Sequence, residues 1–182
     1  MPNVQPEDFA SRPHHDPIPP ALNQIRAVRL FMQAGGQKTD VFDAKQTGFY
    51  IGMELEELAE QLREVAQGHV TPLNPHDDIV QTINWMEMLA KQFKENAFHG
   101  DVLRADREKL LDGFIDQIVV ASGGALSYTH DAEGAFREVN RANMSKFPNG
   151  VATRDANGKI QKPPGWTGPN LTPFVRAKED DK

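Results

Sequence analysis

The chain has 182 residues, a formal net charge of -6 and no cysteine, with a sequence pI near 5.5. That length suits one domain with appended segments and a real core, and the acidic balance argues against a nucleic acid polymer as the main partner, because phosphate backbones select basic surfaces. The absence of cysteine excludes disulfides and thiolate metal sites and fits a reducing cytoplasm, while no unbroken apolar run is long enough to suggest a membrane partner.

Residues 1–18 are polar and proline-rich without an apolar core segment, which predicts an extended arm rather than a secretory signal. Pro19 and Pro20 suit a helix start, and Leu22, Ile25, Val28 and Phe31 recur at helical spacing until Gly35-Gly36 stops the pattern. A second helix is expected from about Gln46 to Gln67, ending at Gly68. Asn74 then reads as an N-cap, with Pro75 in the first helical position and Asp77 and Asp78 in the first turn, where the helix dipole favours them. That third helix runs through Ile79, Ile83, Met86, Ala90 and Phe93 to about Ala97. A fourth covers roughly Ala105 to Tyr128, and Asp131 opens a shorter fifth that ends near Asn143 or Lys146. Beyond Phe147 the chain is dense in Pro and Gly, with DANGKI as a plausible turn. The expected fold is all-α: a helical bundle of four core helices and one shorter helix over residues 19–147, with an extended C-terminal tail over 148–182 that needs a helix or a partner to lie on.

The second helix concentrates charge: MELEELAEQLREV holds five glutamates, offset only by Arg63. On a wheel of about 100° per residue, Leu55, Leu58, Ala59, Leu62, Val65 and Ala66 form an apolar stripe. Glu56, Glu57, Glu60 and Glu64 fall opposite. Such a row is either a solvated face or a set of carboxylates awaiting cations, since like charges four apart cost only a few tenths of a kcal/mol. The fourth helix adds Asp112 and Asp116, one turn apart in a largely apolar stretch. Charges in such a setting are paired or metal-bound; Lys109 is a nearby partner, and two acidic helices facing one gap would supply hard oxygen ligands for Mg²⁺ or Mn²⁺.

EELAE (Glu56, Glu57, Glu60) resembles the EExxE half of the signature of the MazG-like, all-α nucleoside triphosphate pyrophosphohydrolases. LLDGFIDQIVV resembles the family's second acidic helix, with the acids spaced D-x-x-x-D and Gly113 where the usual Glu of ExxD would fall. EVNRANMSKFPNG resembles the V-x-x-x-N-M-S-K element of the phosphoribosyl-ATP pyrophosphohydrolase-like branch, GKIQKPPGWTGPNL its tail, and AVRLFMQAGGQ its first helix. The resemblance implies a homodimer or dimer of dimers that cleaves nucleotides between the α- and β-phosphates. It implies more than one Mg²⁺ per site, with Mn²⁺ able to substitute. Glu57, Glu60, Asp112 and Asp116 would hold the metals, with Glu56 as a ligand or as the base that orients water. Asn143 and Lys146 would reach sugar or phosphate, and Lys159 and Lys162 would add positive charge from the tail. Trp166 would stack on the nucleotide or anchor the tail. Related readings share the chemistry: phosphoribosyl-ATP hydrolysis, or a phage-type enzyme specific for dGTP. A non-catalytic helical scaffold is the remaining alternative.

Other candidates carry less. His14, His15 and Asp16 lie in the arm, and His69, His76, His99 and His130 share no ligand spacing. No Glu is followed three residues later by His, which excludes a ferritin-like pattern, and there is no Walker loop or nucleophile elbow. Ser122-Gly123-Gly124-Ala125 reads as a close helix crossing, with a base pocket as the alternative, and Trp85 and Phe93 as core. Glu54 stands outside the acidic motif, and its loss is expected to be mild.

Overall fold

The computed structural model describes residues 24–39, 41–68, 74, 77–154 and 160–176. These are α-helical: α1 (Gln24–Ala34), α2 (Ala44–Gln67), α3 (Asp78–Lys94), α4 (His99–Arg104), α5 (Arg107–Tyr128) and α6 (Ala132–Met144), with one 3-10 turn at Thr172–Phe174. No strand occurs among the described residues, only isolated bridges at Thr129–Val175 and Arg154–Ile160. The all-α expectation therefore holds. The arm, Lys159 and the tip of the DANGKI turn lie outside the described residues.

The chain divides into two compact units, Gln37–Gly124 and the described parts of Met1–Gly36 with Ala125–Lys182. In the first unit, α2 packs along α3 and against the short α4. Asp43 caps α2, its Oδ1 accepting from the backbone N of Lys45 and Gln46 at 3.0 and 3.1 Å. The Lys38 ammonium bonded to Asp43 Oδ2, helped by the Gln46 N–H, holds that carboxyl at about 2.

The seam between α2 and α3 differs from the one expected. Its buried residues on α2 are Ala44, Gly48, Gly52 and Ala59, against Ile83 and Ala90 on α3. Leu58 and Val65, members of the expected apolar stripe, are exposed, and so is Trp85, expected in the core. Glycine and alanine let the α3 backbone come close to α2, and that approach outweighs the larger side chains beside it. A Cβ at Gly52 would lie 2.7 Å from the Ala90 carbonyl oxygen and 2.9 Å from Lys94 Cγ.

Two boundaries also move. Asp77, not Asn74, is the N-cap residue of α3; its carboxylate turns back to accept from Asn74 N at 2.6 Å. The helix ends at Lys94 rather than Ala97 because Asn96 adopts a left-handed φ of 65°, which asparagine tolerates better than most residues. The chain then forms α4, which was not expected. Asp106, just before α5, accepts from Glu108 N and Lys109 N at 3.0 and 3.3 Å.

In the second unit, α1 packs on α6. The Phe31 and Phe147 ring centroids lie 5.4 Å apart, and Phe147 is buried. Asp131 caps α6 as expected, accepting from Gly134 N at 2.7 Å. The tail lies on this unit's helices: Ala152 N donates to Ala34 O at 3.0 Å, Asn170 N to Glu138 Oε1 at 2.9 Å and Arg176 N to Tyr128 O at 2.9 Å.

The helix α5 has no buried residue, and Leu111, Val120 and Tyr128 are 61%, 74% and 74% exposed. By length and average composition it is apolar enough to cross a membrane, although charged residues interrupt its apolar run. Asp112 and Asp116 weigh against that, since a carboxylate at a bilayer centre costs about 3 kcal/mol.

The seam generates a paired prediction on one helix. Gly48 has only ordinary contacts around a new Cβ, at 3.8 Å or more. Gly48→Ala should raise stability by about 1 kcal/mol through helix propensity. Gly52→Ala should lower it by about 1–3 kcal/mol through overpacking against backbone. Chemical denaturation of both variants checks the opposite signs; equal signs would mean that the close approach at Gly52 is not a constraint.

Candidate functional site

The expected site residues fall in both units. On α2, the seam fixes the rotation of the helix and hence where each carboxylate points. Glu57, Glu60 and Glu64 are exposed on the side away from α3. Glu56 is not on that outer face, as the apolar-stripe wheel implied. With the seam centred on the small residues, it sits at the margin, where Lys94 Nζ donates to its Oε1 at 2.8 Å. Farther along, Arg63 of α2 pairs with Glu87 of α3, a second ionic tie across the same seam.

Glu54 occupies the other margin. With its nitrogen assigned toward the carboxylate, the orientation its partners require, the Gln117 side-chain amide of α5 donates to both Glu54 oxygens at 2.7 and 3.0 Å. Burial pushes the Glu54 carboxyl above its ordinary value, and the Gln117 amide opposes that shift. This residue, read from sequence as a mild comparison, thus meets α5 directly. The missed signal was Gln117 itself, a polar side chain in an apolar helix that also needed a partner.

The Gln117 contact fixes the phase of α5. Asp116 lies roughly 100° and Asp112 roughly 140° around the helix from Gln117, and both are exposed. Among the described residues no three His, Asp or Glu side chains are grouped closely enough to hold a metal ion. Glu57/Glu60 and Asp112/Asp116 are pairs of hard oxygen donors, each about one turn apart on its own helix, and are not gathered into one such group.

In the second unit the remaining expected residues meet. Lys146 Nζ donates to Asn143 Oδ1 at 2.8 Å. It lies 5.5 Å from the Trp166 ring centroid and 5.9 Å from that of Phe31. Lys162 Nζ lies 4.3 Å from the same indole. Trp166 Nε1 donates to Ala142 O at 2.9 Å, so the indole also anchors the tail to α6. Two ammonium groups on one indole favour anions and π-faces together. Close by, Arg141 makes paired hydrogen bonds to Glu138 at 2.7 Å and, with the Asn170 N–H, holds that carboxyl at about 2, so this tie to the tail persists at ordinary pH. Lys159 lies outside the described residues.

Comparisons with protein-family models, curated proteins and solved structures return no match for this chain.

The Glu54 geometry gives a pH prediction. A carboxyl raised in the folded state binds more protons there than in the unfolded chain, so stability is lost as pH rises through the folded value. Glu54→Gln has no charge to desolvate. Its melting temperature should match wild type in acid and exceed it at neutral pH, by a margin that grows as Glu54 ionises. A difference that stays flat between about pH 4 and about pH 7.5 would remove this account.

Proposed function

We propose that this chain is a metal-dependent nucleoside triphosphate pyrophosphohydrolase, cleaving NTP or dNTP to the monophosphate and pyrophosphate. The observation that supports it most is the cluster of Asn143, Lys146, Lys162 and Trp166. Two separate stretches singled out by resemblance, NMSK and the PPGW tail, converge there on one cationic and aromatic surface. An acidic protein that handles polyphosphate needs such a surface.

Glu57, Glu60, Asp112 and Asp116 are the proposed ligands of Mg²⁺ or Mn²⁺, held as more than one ion. When bound, the metals would neutralise phosphate charge and acidify water. Glu56 orients the attacking water toward the α-phosphorus; the water oxygen joins the monophosphate, and the bridging oxygen leaves with pyrophosphate. Asn143 and Lys146 contact sugar or phosphate, Lys162 adds charge, and Trp166 offers a π-face to the base.

The proposed working form is a homodimer or dimer of dimers, in which the four-helix core is completed. The exposed apolar face of α5 supports this, because that face and the two aspartates on it need covering together. A carboxylate-bearing surface is better met by a second acidic chain with bridging metal than by lipid. The absence of cysteine suits a cytoplasmic setting.

Two measurements test the reading. Incubation with each canonical NTP and dNTP and Mg²⁺ should yield NMP and pyrophosphate, while NDP and orthophosphate would mean attack at the γ-phosphate and end the proposal. Glu57→Gln, Glu60→Gln, Asp112→Asn and Asp116→Asn should each lower turnover by about 100-fold or more, with doubles far from additive. No turnover of any nucleotide, with Mg²⁺ or Mn²⁺, would instead favour the scaffold.

The tail cluster has its own readout. Trp85 and Trp166 are the two tryptophans. In a Trp85→Phe background, indole fluorescence reports Trp166 alone and should change saturably with nucleotide. Lys162→Ala should weaken that response by roughly threefold to tenfold. An unchanged signal at saturating nucleotide would leave Trp166 as an anchor only.

A further inference from the structure

Helix α5 meets the first unit along one edge. Gln117 faces Glu54, the Arg107 guanidinium lies 3.9 Å over the Phe42 ring, and Leu110 and Phe114 are half-buried. On a wheel of about 100° per residue, that edge spans roughly 80° from Gln117. The next arc, from about 100° to about 200°, holds Leu111, Ile115, Ile118, Val119, Ser122 and Leu126, all exposed. Steps of four and three residues along it are those of a helix–helix seam, here without its second helix. Ser122 fits an apolar seam because its hydroxyl already donates to Ile118 O at 2.6 Å. On α2 the matching margin is open too: exposed Leu58 and Val65 lie within about 40° of Glu54.

The charge pattern of α5 selects what can cover this face. Its charged residues, Arg107, Glu108, Lys109, Asp112 and Asp116, all stand in its first half, and residues 117–128 carry none. A parallel copy would set Asp112 and Asp116 beside their own equivalents. An antiparallel copy, centred between Ile118 and Val119, lays each charged half along an uncharged one and opposes the helix dipoles. That register is self-complementary, as a two-fold interface requires. Ile118 meets Val119, Leu111 meets Leu126, and the bulky Ile115 meets the small Ser122. Asp112 and Asp116 then lie roughly 70° and 110° from the middle of the stripe, at the border of the seam and in reach of water.

We propose that α5 is a self-association surface, covered by α5 of a second copy running antiparallel about a centre between Ile118 and Val119. The inference rests on the homo-oligomer of the proposed function and not on its chemistry. The chain has no cysteine, so introduced thiols report pairing without background. In the full-length chain, Ile115→Cys/Ser122→Cys should form disulfide-linked dimers on mild oxidation. Either single variant should link little, because like positions lie about 10 Å apart along the axis. Ile118→Cys, close to the two-fold axis, should link to itself. By sedimentation, Ile118→Asp should weaken self-association about 100-fold or more, since each protomer brings a carboxylate into an apolar seam. Val120→Asp, on the far side of the same helix, should leave association unchanged.

Each outcome decides something. Wild type that stays monomeric overturns the inference, whether it is free in solution or bound to phosphatidylcholine vesicles. A dimer in which both single variants link to themselves, or the double variant does not link, overturns it in favour of a parallel pair or another interface. Equal effects of Ile118→Asp and Val120→Asp also overturn it. Should Ile118→Asp fail to fold, the cysteine variants still decide the register. An antiparallel dimer that hydrolyses no nucleotide would end the functional reading and leave this interface standing, whereas a monomer that hydrolyses nucleotide would do the reverse.

Discussion

The close approach of α2 and α3 over small residues is the constraint from which most of the first unit follows. Ala44, Gly48, Gly52 and Ala59 leave no bulk between the helices, so backbone meets side-chain stem and carbonyl at Gly52. A seam of this kind gains from dispersion at short range and gains little from burying large apolar area. No large side chain is fully buried among the described residues. The apolar load that would ordinarily fill a core, including Leu58, Val65, Trp85 and the α5 residues Leu111, Ile115 and Val119, stays at the surface. The first unit thus has its rigidity from close contact and its unmet hydrophobic surface outside, which is the observation behind the proposed homo-oligomer.

The same seam dictates the electrostatics. By choosing which edge of α2 faces α3, it sends Glu56 and Arg63 to one margin, where each meets an opposite charge from α3. Glu54 goes to the other margin and meets an amide. Glu57, Glu60 and Glu64 face outward. A row of five glutamates that looks uniform in sequence is therefore three environments: salt-bridged, desolvated and solvent-facing. That separation of neighbouring carboxylates into different environments is what would allow one helix to serve both acid-base and metal chemistry in the proposed reaction.

The helical class was legible because its signals are local. Apolar spacing located the helices though not their buried faces, while the Asp131 cap and the Gly35-Gly36 stop act within one turn and stand where the sequence places them. The seam was not, because the reading weighted large apolar side chains and passed over Gly48 and Gly52, whose effect is to permit contact instead of making it. The short α4 was missed for a related reason: Asn96 can take a left-handed φ, but nothing beside it demands that the helix stop there. The acidic motif was visible as a set of residues, while the rotation that divides its members depends on α3 and α5 and is a tertiary fact.

The second unit reaches its arrangement by different means. The tail is rich in proline and glycine and buries little, so its position is set by directed hydrogen bonds: Trp166 Nε1 on Ala142 O, Asn170 N on Glu138, Arg176 N on Tyr128 O, and the Thr129 hydroxyl on Phe174 O. Such ties fix backbone and indole, while the Lys162 ammonium lies over the indole face and Lys146 donates to Asn143 beside it. An exposed cation–π pair is worth about 0.5–1 kcal/mol, less than a charge-assisted hydrogen bond to an anion at about 1.5–3 kcal/mol. Under the proposed function, a phosphate would therefore draw Lys162 from the indole without disturbing the tail. The tail's backbone acts as a fixed mount for Trp166, and the Lys162 ammonium is presented on that indole.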